Sequence, residues 1–304
     1  MSQPPIPHEL LPYLDEPPQL RSGSFGKVAL LRLRFERRGE RSILARMERR
    51  APLLVQKALY CDEGMPELPV VFIISNSGGI LQGDRYTLEF AVEPHAFGHV
   101  TTQAATKIHE MDANHATQVQ EISLAEGGYL EYLPEAVIPF ARSRFLTRTR
   151  VRIDPTATLL YAETLMGGRK FYGEGEFFKF DLFSSTVSAE RPDGKSLFVE
   201  KFRIEPARTP VAVPGVMGDF DIFGNVLLLT PPAVADEVAS RAVSAWNKKE
   251  GWAAGVGRLP NGAGLVYKIV GRDSGVVRAK IRDFWSLVRP LITGKPVPPE
   301  FPWR

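Results

Sequence analysis

From residue 22 to about 230 the chain falls into short runs rich in Val, Ile, Phe, Tyr and Thr, many alternating apolar and polar positions. A period of two is that of a strand with one buried face, because successive side chains leave opposite sides of the backbone. VALLRLRFER, ALYCDE, VVFIIS, RYTLEFAVE, GHVTTQA, TQVQEISL, YLEYLPEAVI, RFLTRTRVRID, ATLLYAETL, FFKFDLFSSTVSAE and SLFVEKFRIE all read as strands. Arg38-Gly39, Glu63-Gly64, Gly127-Gly128, Asp154-Pro155, Gly167-Gly168 and Asp193-Gly194 punctuate them as turns. No helical stripe of three turns interrupts the region. The pattern predicts a mainly β body over 22–230, with successive units able to stack as layers.

The pattern changes after Pro231-Pro232. AVADEVASRAVSAWNKK places Val234, Val238, Ala242, Ala245 and Trp246 at helical spacing, with prolines suited to its start. WAAGVGRL and AGLVYKIVG follow as strands joined through Asn261-Gly262. VVRAKIRDFWSLVRPLI then sets Ile281, Phe284, Trp285, Val288 and Leu291 on one stripe, with Asp273 or Ser274 as N-cap. The expectation for 231–304 is a small α+β unit, helix–strand–strand–helix, packed on the β body. Residues 1–21 hold six prolines in the first twenty positions and read as an extended, flexible tail.

Composition narrows the function classes. The 304 residues are 44% hydrophobic and 24% charged, as in an ordinary globular protein. A net charge of +3 is too small to imply nucleic acid. The single cysteine, Cys61, excludes an internal disulfide and a Cys-rich metal site. No apolar run approaches the ~20 residues of a membrane helix. The N-terminus lacks a basic start followed by an apolar core, so it does not read as a signal peptide. A cytoplasmic protein is expected.

Five stretches invite chemistry. SNSGGILQGDRYTLEF contains Gly78, Gly79 and Gly83, followed by Asp84-Arg85. A P-loop needs Lys-Ser/Thr after the last glycine and a helix next; here a strand follows, which favours a tight connection over a phosphate cradle. TTQAATKIHE, with Thr101, Thr102, Gln103, Thr106 and Lys107, is a small polar run inside the β body, read as a closely packed strand edge. Four of the five histidines, His95, His99, His109 and His115, lie between 95 and 115. Imidazoles bind nickel, zinc and copper, but no HxH or HExxH spacing occurs, and solvated loop positions are the plain alternative. Glu131, Glu163 and Glu200 sit among apolar neighbours. They are either on a solvated face or inward and then paired, hydrated or metal-bound. Arg148, Arg150 and Arg152 share one strand face, without an accompanying recognition helix or aromatic stacking motif.

The order of these stretches is more specific than any one of them. PLLVQKALY, SNSGGILQGDRY, TTQAATKIHE, YLEYLPEAVIPFARSRF, LLYAETLMGGR, LFVEKFRIEP and DFWSLVRPLITGKP succeed one another. From about Gly23 to the C-terminus this series resembles the urease accessory protein UreD (UreH) family. The glycine core, the TTQAATK run and the LEYLP…PF segment are its most specific parts. The chain departs from the family at Lys57-Ala58-Leu59-Tyr60-Cys61, Asn76-Ser77 and His109-Glu110. The resemblance implies an extended, layered or helical β fold with a small helical part, and a non-enzymatic maturation factor. It implies binding to a UreF-type protein, through it to a UreG-type GTPase, and to apo-urease, with no nucleic acid or membrane partner. No tightly bound cofactor is implied, only transient Ni2+ moving through an internal, water-filled passage. By motif, Asp84, Glu163 and Glu200 are the passage carboxylates. The competing expectation is a β-rich metal enzyme built on His95, His99 and nearby carboxylates.

Overall fold

A computed structural model describes residues 6–15 and 26–301. A 3-10 helix, His8–Tyr13, comes first. In chain order the strands that follow are β1 (Val28–Arg38), β2 (Arg41–Arg50), β3 (Leu53–Leu54), β4 (Val70–Ser75), β5 (Arg85–Val92), β6 (Phe97–Thr102), β7 (Thr106–Ile108), β8 (Ala116–Leu124), β9 (Tyr129–Tyr132), β10 (Val137–Pro139), β11 (Arg144–Ile153), β12 (Thr158–Met166), β13 (Leu182–Glu190), β14 (Ser196–Ile204) and β15 (Ile222–Leu229). Next come α1 (Pro232–Arg241), β16 (Ala245–Asn247), β17 (Trp252–Arg258), β18 (Gly264–Gly271) and α2 (Ser274–Thr293).

The strands form two sheets. One has the order β14-β13-β11-β8-β5-β1-β2. The other runs β16-β17-β18-β15-β12-β9-β6-β4-β3, with β10 and β7 attached beside β12. Between β4 and β13 the chain passes back and forth between them. β5, β8, β11 and β13 therefore line up parallel in the first sheet, and β4, β6, β9 and β12 in the second. The fold is mainly β and layered, as the alternation predicts. β5 shows why: its burial strictly alternates, and Tyr86, Leu88, Phe90 and Val92 enter the space between the sheets. The outer face of the first sheet is a charged mosaic in which Arg150 pairs with Glu121 at 3.1 Å and Arg152 with Glu190 at 2.9 Å. Two of the arginines noted in the sequence, Arg150 and Arg152, are thus matched across strands.

A second core lies on the other side of the second sheet, under α2. Asp273 caps α2, its side chain accepting from Gly275 N at 2.8 Å and Val276 N at 3.1 Å. Ile281, Phe284, Trp285 and Val288 are buried on the predicted stripe, and Leu291 is partly buried. Gly294 closes the helix with φ 71°, a left-handed value that a side chain disfavours.

Three local differences from the sequence reading have physical reasons. The helix expected through Trp246 ends at Arg241 because the backbone at Ala242 turns extended, and Trp246 lies on β16, paired with Ala253 of β17. Ladder bonds to β17 outweigh one more helical turn. ALYCDE contributes only a bridge from Leu59 to Val70. Within the stretch expected to be a flexible tail, His8–Tyr13 is docked: Leu10 packs with Leu146 and Leu182, and Glu9 accepts from Ser184 Oγ at 3.0 Å and pairs with Lys201. An apolar contact and a paired carboxylate hold that helix. Residues 1–5 and 16–25 lie outside the described residues. β18 pairs along the whole of β15, so the C-terminal strands continue the second sheet.

Candidate functional site

The glycine stretch after β4 is a tight connection. Gly78 and Gly83 have φ of 72° and 78°. A Cβ on Gly79 would come within 2.7 Å of Lys107 O and of the His109 ring. Asp84 is fully buried and turned into this loop. Its Oδ1 accepts from Lys27 N at 2.8 Å, and its Oδ2 from Leu81 N at 2.9 Å and Tyr86 OH at 3.1 Å. The carboxylate is thereby a brace for the turn.

TTQAATK knits that turn to the LEYLPE segment. Thr101 Oγ1 donates to Leu133 O at 2.7 Å, and Thr102 Oγ1 accepts from Glu135 N at 2.9 Å. Gln103 N reaches Ile73 O at 2.9 Å, and Lys107 O accepts from Ile80 N at 2.8 Å. Both motifs border a cavity of about 370 Å3 between the two sheets. Exposed Ser75, Gly78, Gln103, Ala104 and Lys107 line one part of it; buried Tyr132, Thr147, Tyr161 and Phe183 line another.

Strand register explains the polar lining. Across the first sheet, Phe202 of β14 pairs with Ser185, Ser185 with Thr147, Thr147 with Gln118, and Gln118 with Tyr86. The adjacent row holds Thr149 and Gln120. Gln120 donates to Thr149 Oγ1 at 2.7 Å and accepts from Tyr132 OH at 2.7 Å, which crosses to the second sheet. Opposite them, Glu163 of β12 pairs with Asn225 of β15, and Asn225 with Lys268 of β18.

These rows meet as a seam. Ser185 Oγ donates to Glu163 Oε1 at 2.7 Å. Asn225 Nδ2 donates to Glu200 Oε2 at 2.9 Å, while Lys268 pairs with Glu200 Oε1. The seam runs from the cavity-facing Glu163 to the exposed Lys268. The structure brings Glu163 and Glu200 together through Asn225 and leaves Asp84 apart, joined to the cavity wall only through Tyr86. Glu163 has no cationic partner among the described residues, and burial pushes its carboxyl above the usual range. Ser185, Tyr161 and Asn225 moderate that rise, but nothing closes a good hydrogen bond on Glu163 Oε2. Asn225 Oδ1 and Thr147 Oγ1 are likewise buried and unmatched among the described residues.

The third carboxylate of the sequence reading, Glu131, faces the other way, toward α2. Arg289 donates to it through Nε at 2.8 Å and through Nη2 at 3.1 Å. Tyr129 OH, Trp285 Nε1 and His99 Nδ1 also contact it, at 2.5, 2.6 and 2.7 Å. Arg289 bonds Asp62 as well, and Glu131, Asp62, His99 and Arg289 are all buried. Although burial opposes ionisation, Arg289 and His99 hold the Glu131 carboxyl down at about 2. Burial in turn pushes the His99 imidazole down. His99 is thus committed to Glu131, while His95 lies exposed at a turn with φ 56°. Among the described residues no group of three or more His, Cys, Asp or Glu side chains is placed to hold a metal ion. Sequence reasoning missed Asn225, Thr147, Gln120 and Arg289; the polar residues within RFLTRTRVRI and ATQVQEISL were the available signal for Thr147 and Gln120.

Two parallel ladders enclosing a cavity of mixed aromatic and polar lining, with a helix clamped behind one of them, define a layered β scaffold. The family model for UreD urease accessory protein matches residues 27–304. Urease accessory protein UreD 2 of Brucella suis biovar 1 (strain 1330) is 56% identical over 295 residues, covering 97% of this chain and 98% of its own. Urease accessory protein UreD of Photorhabdus laumondii subsp. laumondii is 51% identical over 296 residues, covering 97% and 92%. That of Yersinia pseudotuberculosis serotype O:1b is 52% identical over the same length and shares. The chain belongs to the UreD urease accessory protein family. No helix among the described residues is long and apolar enough to cross a membrane.

Proposed function

We propose that this chain is a non-enzymatic maturation factor that binds apo-urease together with UreF-type and UreG-type accessory proteins and passes nickel to the urease through the cavity between its sheets. The observation that carries the reading is Glu163, a cavity-lining carboxylate with one good hydrogen bond and an unmatched oxygen. Nickel(II) accepts oxygen ligands, and a conduit must release what it receives. A single carboxylate among hydroxyls and amides suits a hydrated, exchangeable ion better than a permanent site. Glu200, at the outer end of the seam, extends the path. Asp84 serves it indirectly, by bracing the turn that borders the cavity. The cytoplasm is where such a factor would meet newly made urease.

The test is urease activation in cells that express the structural subunits and the other accessory proteins, with nickel per active site measured beside activity. Omission of this chain should lower both. Glu163→Gln should lower nickel content while the protein and its complexes persist on gel filtration. Unchanged nickel content in that variant would remove Glu163 from the path.

A further inference from the structure

The cavity holds more chemistry than a passing metal ion uses. Its wall is strongly aromatic, with Tyr132, Tyr161, Phe145, Phe183, Phe202 and Phe223 contributing. Among the described residues, two buried polar atoms on that wall, Glu163 Oε2 and Thr147 Oγ1, have no hydrogen-bond partner. Thr147 is only 6% exposed. The two are neighbours through one residue: Thr147 pairs in register with Ser185, whose hydroxyl donates to Glu163 Oε1 at 2.7 Å.

Among the buried carboxylates of the described residues, Glu131 and Asp62 share the Arg289 guanidinium, Glu9 and Asp221 pair with Lys201 and Lys170, and Asp84 is satisfied by Lys27 N, Leu81 N and Tyr86 OH. Glu163 has no Lys or Arg ion-paired to it among the described residues. An acceptor without its cation, set among π faces, matches an organic cation. Such a ligand offers N–H donors to the oxygens, while its charge and carbon atoms lie against the rings. A volume of about 370 Å3 lies within the range of small-molecule sites. A dehydrated metal ion would find one carboxylate and few further ligands here, and could not use the rings.

We propose that the cavity binds a small organic cation, a primary alkylammonium or a guanidinium, with Glu163 and Thr147 as its hydrogen-bonding partners and the aromatic wall as its apolar contact. This goes beyond the nickel reading and rests on it only in using the same cavity and the same Glu163. A bound amine and a hydrated nickel ion would compete for that carboxylate, so occupancy by the amine would regulate passage.

The test is calorimetric titration of the purified full chain with butylammonium and with methylguanidinium, using butanol as the uncharged probe of similar size. Saturable binding of either cation, at least about tenfold tighter than butanol, is expected. Glu163→Gln should weaken cation binding by about tenfold or more, and Thr147→Val, which keeps the side-chain shape, by about threefold. Should Glu163→Gln fail to fold, Thr147→Val carries the test. No saturable cation binding, equal binding of butanol, or cation binding unchanged in the folded variants would overturn the proposal. Nickel loading measured on the same variants separates the two readings. Loading that depends on Glu163 without amine binding leaves only the nickel reading; amine binding with loading indifferent to Glu163 leaves only this one.

Discussion

Glu131 is a fully buried strand residue and Glu163 a partly buried one whose Oε2 is shut from solvent, and the protein treats the two carboxylates oppositely. Glu131, between the second sheet and α2, accepts from Arg289, Tyr129, Trp285 and His99. Glu163, between the two sheets, accepts one good hydrogen bond, from Ser185. Arg289 and His99 hold the first carboxyl at about 2, whereas burial pushes the second above its usual range. Saturation, more than burial, separates a carboxylate tied into the fold on every side from one with an oxygen left unmatched. A saturated buried charge is costly to disturb, because each partner removed strands the others in a low-dielectric interior. An unsaturated one already bears that cost and so tolerates change.

The comparison breaks most easily at Arg289. Arg289→Ala strands Glu131 and Asp62 and should destabilise the protein by about 3–5 kcal/mol. Urea unfolding followed by far-UV circular dichroism would read this as a lowered midpoint. A loss under about 1 kcal/mol would mean that the cluster does not anchor α2.

Acid should act next, through the same cluster. The folded pKa of Glu131 is depressed, so its stabilisation is fully present above its unfolded value, near 4.5, and is lost as pH falls through about 2. Stability measured between those values should decline, and Glu131→Gln should flatten the decline while lowering stability at neutral pH.

The same substitution at Glu163 should do the reverse. A carboxyl whose folded pKa is raised favours folding below its unfolded pKa, and that contribution disappears as pH rises through the folded value. Glu163→Gln should therefore leave stability at pH 8 within about 1 kcal/mol of the parent or slightly raise it. A large loss in thermal unfolding would show that Glu163 is saturated after all. The smallest effect belongs to the outer face, where Arg150→Ala, breaking the exposed pair with Glu121, should shift stability by about 0.5 kcal/mol or less.

Much of the fold was legible in the chain. Period-two runs locate most strands of the body, the Asp273 cap and the Ile281 to Val288 stripe locate α2, and Asn261-Gly262 marks the turn between β17 and β18. The overrun of α1 through Trp246 was a failure of local reading, since small apolar residues at helical spacing do not reveal a waiting ladder partner. The candidate site was legible in part. The glycine loop, TTQAATK and Glu163 stood out and do border one cavity, but Asp84 proved to be bonded into its own loop.

What the sequence determined by itself is the layered β character, the helical C-terminal end and the family, because strand period, caps and motif order are local properties. What only tertiary structure decided is which carboxylates are paired. Alternation says which side of a strand a residue leaves from and is silent about what stands opposite. Arg289 lies 158 positions from Glu131, and Ser185 lies 22 from Glu163. Those partners, set by which strands and helices pack together, fix charge state and hydrogen bonding, and with them the difference between a buried brace and an open site.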